Sequence, residues 1–128
     1  MRERRYRPSC FPIKTNGTVT DVVVVCGHST KERQTTTEIL NIKSLTWYDG
    51  PRLPYLINDL ASVESVDGQY LGFAIGGYSS YQKYQIQDSI FGLQKVNGIL
   101  EWVLVRSMDT PRYRHTVINA PLSLVPSC

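Results

Sequence analysis

Two histidines, three cysteines and eleven carboxylates are the side chains of this 128-residue sequence with catalytic or metal-binding chemistry in reach. His28 lies in a loop and His115 opens a strand, and neither has an Asp, Cys or Ser at the spacing of a nucleophilic triad. Cys10, Cys26 and Cys128 form an odd, sparse set, with neither the C-x-x-C spacing of a zinc site nor the density of a disulfide framework. Glu32, Glu38 and Asp88 are scattered singles and make no carboxylate pair for general acid–base work. The doublet Gly76-Gly77 lacks the Lys-Ser/Thr that completes a phosphate loop. The sequence therefore predicts no catalytic residue, no cofactor and no metal. Cys10 and Cys26 are expected as small buried hydrophobes, in the reducing environment of a cytoplasmic protein.

Charge and hydropathy narrow the partners. Lys+Arg 14 against Asp+Glu 11 gives a net charge of +3, too mild to imply nucleic acid without a one-sided basic patch. The longest uncharged apolar run, residues 22–26, is far short of the ~20 residues of a membrane helix. Residues 1–7 are basic, but no apolar segment follows them as in a secretory signal. Asn16-Gly17-Thr18 is a formal glycosylation sequon, which would matter in a secreted chain; here it reads first as a turn.

The elements that must position any site are short strands. Asn16-Gly17, Asp49-Gly50, Asp67-Gly68 and Asn97-Gly98 punctuate the chain, and three of them lie between apolar runs as two-residue hairpin loops do. The expected hairpins join 9–13 to 21–26, 61–66 to 70–75 and 89–95 to 100–105, with 38–47 turning at Lys43-Ser44. Nothing reads as a helix. A period is visible: Trp47 and Trp102 are 55 apart, Gly27 and Gly77 are 50 apart, and Arg5-Tyr6-Arg7 returns as Arg112-Tyr113-Arg114. Each unit is then a four-stranded antiparallel sheet of about 50–55 residues, of the kind used as a propeller blade.

On these residues the chain resembles the kelch-repeat family. In the second unit the matches are Gly76, Gly77, Tyr78, Asp88, Ile90 and Trp102, then Met108, Pro111, Arg112 and His115. In the first they are Gly27, Glu38 and Trp47, then Pro51 and Pro54. The first unit departs from the pattern with Cys26 in place of the first glycine, and Leu60 stands at the offset from Trp47 that His115 has from Trp102.

The resemblance implies an all-β, partial kelch-type β-propeller: one blade over 1–60, a second over 61–114, and the first strand of a further blade with a tail over 115–128. It implies Gly27, Trp47, Gly76, Gly77, Trp102 and His115 as structural repeat positions, with the tryptophans packing between blades. Propellers close with 4–8 blades, so two blades leave apolar faces wet. The expectation is further blades in a longer chain, or self-association.

Kelch propellers bind proteins through the loops between the second and third strands and after the fourth. Here those loops carry Tyr78, Tyr81, Tyr84, Arg106, Arg112, Tyr113 and Arg114. Tyr and Arg are enriched at interface hot spots. The implied function is a non-enzymatic interaction module, such as the substrate-recruiting or cytoskeleton-binding part of an adaptor. A piece of a propeller enzyme such as a copper oxidase, or a secreted propeller, is the alternative.

Overall fold

The structure is a computed structural model that describes residues 1–28, 35–79 and 85–120. Ten strands follow in chain order: β1 (Ser9–Thr15), β2 (Thr18–Val25), β3 (Thr37–Asn41), β4 (Thr46–Asp49), β5 (Ala61–Glu64), β6 (Gly72–Ile75), β7 (Tyr78–Ser79), β8 (Gln85–Ile86), β9 (Ser89–Val96) and β10 (Ile99–Ser107). They form two four-stranded antiparallel sheets, β1-β2-β3-β4 and β5-β6-β9-β10, and a small β7-β8 pair. Among the described residues there is no helix. The hairpins at Asn16-Gly17 and Asn97-Gly98 have φ of 51° and 78°, and of 50° and 84°. Those are the positive angles a type I′ turn demands, and Asn and Gly are the residues that tolerate them.

The two sheets share one register over their central pairs. Ser9 pairs with Val25 and Phe11 with Val23, as Ala61 pairs with Ile75 and Val63 with Phe73. Farther out, Leu40 pairs with Trp47 as Leu93 pairs with Trp102. Strand alternation then assigns the faces. The first sheet turns Phe11, Val23, Val25 and Ile39 toward the second, which answers with Ala74, Phe91 and Leu93; Leu53, Ile57 and Leu60, from the connection between the sheets, complete the core. Gly72 is required here, because a Cβ on it would lie 2.3 Å from the Phe11 ring. Trp102 closes the interface: its indole N–H donates to Thr37 Oγ1 at 3.1 Å, and its ring meets Phe11 edge-on at 6.3 Å.

The first strands of the two sheets run side by side. Ser9 and Ser62 hydroxyls are 2.6 Å apart, and Lys14 Nζ reaches the Glu64 carboxylate at 2.9 Å. The opposite faces are apolar too, yet only partly covered. On the first sheet this face carries Pro12, Val22, Leu40 and Trp47; on the second, Val63, Phe73, Ile75, Ile90 and Val103.

Four sequence expectations are corrected. The extra strand over residues 115–120 is not formed: the segment runs along β5, touching it at Asp59 and Glu64, but shares a ladder with no described strand. The Asp67-Gly68 connection is not a two-residue hairpin, since β5 ends at Glu64 and β6 begins at Gly72. The Asp67 carboxylate instead accepts from the Ser65 hydroxyl (2.6 Å) and the Gln69 N–H (3.0 Å), which hold its pKa below the usual carboxylate value. The loop after Gly77 contains the β7-β8 pair. Finally, Cys26 is buried as expected but Cys10 is exposed; it lies on the partly covered face of the first sheet.

Candidate functional site: a loop turn built three times

The residues that lead into the first strand of each sheet form one recurring turn. Tyr6 and His28 exchange backbone hydrogen bonds of 2.9 and 3.0 Å, and Asn58 and Tyr78 exchange bonds of 2.9 and 2.7 Å. The next residues, Arg7 and Asp59, have φ of 54° and 52°. A third copy follows, with Arg114 at φ 52° after Tyr113. The glycines of the repeat explain why the turn fits. A Cβ on Gly27 (φ 100°) would meet Tyr6 O at 3.1 Å and Arg5 Cβ at 3.3 Å, and one on Gly77 (φ 105°) would meet Asn58 O at 2.8 Å and Ile57 Cγ2 at 2.3 Å. Arg5-Tyr6-Arg7, Ile57-Asn58-Asp59 and Arg112-Tyr113-Arg114 are therefore equivalent, and Cys26 (φ 53°) takes the backbone conformation of Gly76 (φ 60°).

The three left-handed residues gather at one end of the molecule. The Asp59 carboxylate, 9% exposed, lies between Arg7 Nη1 at 3.7 Å and Arg114 Nε at 3.2 Å, whose side chains are 55% and 58% exposed. The Arg114 backbone N–H also donates to Asp59 O at 2.9 Å. With Pro8, Leu60 and His115 these residues line an open cleft of about 380 Å³. Two guanidiniums around one carboxylate leave an excess of one positive charge at the mouth.

Aromatic stacks flank the cleft. Tyr6 stacks on His28 with centroids 4.8 Å apart and planes 16° apart. Tyr78 and Tyr113 meet at 5.9 Å, and the Arg114 guanidinium lies 5.6 Å from the Tyr113 ring centre, within cation–π range. His115, at the cleft wall, has both ring nitrogens buried without a hydrogen bond among the described residues. Burial, and then the nearby Arg112 charge, lower its pKa from the ordinary histidine value. Burial pushes the Cys26 thiol up to about 12, so this sulfur is inert rather than nucleophilic.

Of the expected recognition residues, the structure brings Tyr78, Tyr113 and Arg114 together. Arg112 follows them only through its backbone, donating to Gln87 O and accepting from the Gly77 N–H, with its side chain exposed. Arg106 is exposed near the end of β10, opposite Ile90. Tyr81 and Tyr84 lie outside the described residues. Sequence reading missed Arg7, Asp59 and the Tyr6–His28 stack. The Arg-Tyr-Arg recurrence pointed to Arg7, but the middle copy, Ile57-Asn58-Asp59, shares no residue with the other two. Only the offset of Leu60 from Trp47 marked its place.

Among the described residues no group of three or more His, Cys, Asp or Glu could hold a metal ion, and no helix is long and apolar enough to cross a membrane. No protein-family model and no curated protein matches this chain in sequence.

Proposed function

We propose that this chain is a protein-interaction module without catalytic activity, comprising two adjoining blades of a kelch-type β-propeller. The propeller reading is supported by two sheets of identical strand order and register whose first strands run side by side. A radial stack of blades has that geometry about its axis. The single observation that carries the functional reading is the loop end of the sheets, where Tyr78, Tyr113 and Arg114 stack beside the Arg7–Asp59–Arg114 cluster. Planar aromatic and guanidinium groups on rigidly held loops provide large contact area at low entropic cost. An exposed thiol at Cys10 fits a reducing compartment such as the cytoplasm.

The test is affinity capture from the source cells with the chain and with a Tyr113→Ala, Arg114→Ala variant, each checked for an unchanged melting temperature. A partner retained by the parent chain and lost by the variant supports the reading. Equal capture by both chains would remove the loop face from it, and stoichiometric copper in the purified chain would replace it with the oxidase alternative.

A further inference from the structure

Residues 115–120 continue the third copy of the turn into an extended segment held at both ends of β5. At one end Arg114 N–H donates to Asp59 O at 2.9 Å, and at the other Asn119 Nδ2 donates to Glu64 O at 3.0 Å. This is the relation that β1 has to β5, through Arg7–Asp59 and Lys14–Glu64. β1 and β5 each open a sheet by pairing with the next strand, whereas residues 115–120 have no ladder partner among the described residues. Ile118 is 78% exposed. Beside this segment lies the partly covered apolar face of the second sheet, with Phe73, Ile75 and Ile90 half-buried.

We propose that residues 116–120 are a strand-addition site, which accepts one antiparallel β-strand from a partner polypeptide. Main-chain bonds give such a site its affinity, and alternate side chains give its selectivity. The internal repeat defines the register. Pro12 has no N–H and lies within β1, an edge strand paired only with β2, so β1 donates from the residues on either side of it. Arg5 and Arg112 are 107 apart, and the same shift carries Phe11 to Ile118 and Pro12 to Asn119. Thr116 and Ile118 are therefore the donors, and the Asn119 N–H points away from the incoming strand.

The repeat also defines the incoming side chains. Those opposite Val117 and Asn119 turn onto the second sheet's uncovered face, where Val63 occupies the position that Phe11 has in the first sheet. The smaller Val63 removes the clash that demands glycine at position 72. The fitting strand is thus β-branched or aliphatic at alternate positions, as β2 is with Val22 and Val24. This inference rests on the threefold turn and not on the loop face, so loss of binding through Tyr113 leaves it standing.

The probe is a fluorescent synthetic peptide of residues 18–25 flanked by lysines, titrated into the full chain, with amide exchange followed by NMR. Saturable binding that protects the Thr116 and Ile118 amides is expected. Ile118→Pro, which removes the donor N–H, should weaken it by about tenfold or more. Ile118→Ala, which keeps that N–H and trims only an exposed side chain, should bind within about threefold of the parent, a difference of under 1 kcal/mol. The same peptide N-methylated at alternate residues should not bind. Absence of saturable binding up to about 1 mM would overturn the proposal. So would equal binding of the N-methylated peptide, equal loss in both Ile118 variants, or Thr116 and Ile118 amides already protected in the chain alone.

Discussion

Arg5 and Glu38 in the first sheet occupy the positions that Ile57 and Phe91 occupy in the second. The register makes the second match, since Val24 pairs with Glu38 as Ala74 pairs with Phe91. The chemistry at the two places is opposite. The Arg5 side chain is 0% exposed; its Nε donates to Glu38 at 3.0 Å, and its terminal nitrogens donate to Cys26 O and Thr36 O, both at 3.0 Å, and to Thr36 Oγ1 at 2.8 Å. Ile57 and Phe91 are 1% and 3% exposed and belong to the hydrophobic core. One backbone frame thus accepts a buried ion pair or an apolar pair. What it accepts poorly is half of the buried pair, because the Arg5 charge would then keep only the half-exposed Glu3 carboxylate, at 3.2 Å, against its lost hydration.

The largest effect should come from breaking that pair. Glu38→Ala removes the buried carboxylate and leaves the Arg5 guanidinium only the half-exposed Glu3 at 3.2 Å, which should cost about 3 kcal/mol in urea denaturation. Grafting the second sheet's solution, Arg5→Ile with Glu38→Phe, should recover most of that loss or exceed the parent chain. A double variant no more stable than Glu38→Ala would mean that the two places are not equivalent after all. Arg112, the third copy, sharpens the comparison: its side chain is exposed, and Arg112→Ala should stay within about 0.5 kcal/mol of the parent.

The tryptophans divide in the same way. Trp102 packs between the sheets against Phe11 and Thr37, while Trp47 holds the equivalent position on the partly covered face. Trp102→Ala should cost about 3 kcal/mol, and Trp47→Ala under about 1 kcal/mol, read from the same denaturation curves. Equal costs would show that the partly covered face of the first sheet is fully buried in solution.

Most of the strand plan was legible because it is written locally. Asn16-Gly17 and Asn97-Gly98 demand positive φ and so mark hairpins, and apolar runs of four to eight residues mark what lies between them. The Gly and Trp spacings disclosed the repeat for the same reason: each position has a steric job that few residues can do. Asp67-Gly68 misled, because the Ser65 and Gln69 contacts of its carboxylate support a wider loop as readily as a tight turn. The site was legible only in part. Tyr78, Tyr113 and Arg114 carry interface chemistry in their identities, whereas Asp59 is an ordinary carboxylate until the fold brings Arg7 and Arg114 to either side. That meeting spans 52 residues on one side and 55 on the other, and no local pattern encodes it.

Smaller effects should separate the glycines. Gly77→Ala meets Ile57 at 2.3 Å and Asn58 O at 2.8 Å, whereas Gly27→Ala meets its nearest atom at 3.1 Å; both have strongly positive φ. Gly27→Ala should cost about 1–2 kcal/mol from backbone strain, and Gly77→Ala visibly more, because the clash adds to the strain. Thermal melts of the two variants side by side give the ranking, and the reverse order would break the equivalence of the two turns.

The smallest effect concerns the third turn, where His115 stands in the place that Leu60 has in the second. Burial and the Arg112 charge lower its folded-state pKa below the value of 6.5 that it has when unfolded. Between those two values the unfolded chain binds more protons than the folded one, so stability rises with pH through that window. The contribution is whole above pH 6.5 and is lost as the pH falls through the lowered folded-state value. His115→Leu, which copies the second turn, removes the titrating group along with its two unbonded nitrogens. Urea midpoints of parent and variant should run parallel above neutrality and draw apart below pH 6.5, with the variant the more stable in acid. Because Leu60 is already buried in the equivalent position, the substitution adds no shape that the frame has not accommodated once. A constant offset between the two at every pH, with no divergence below 6.5, would instead assign the effect to altered packing against Gly76, whose added Cβ would lie 2.9 Å from the imidazole.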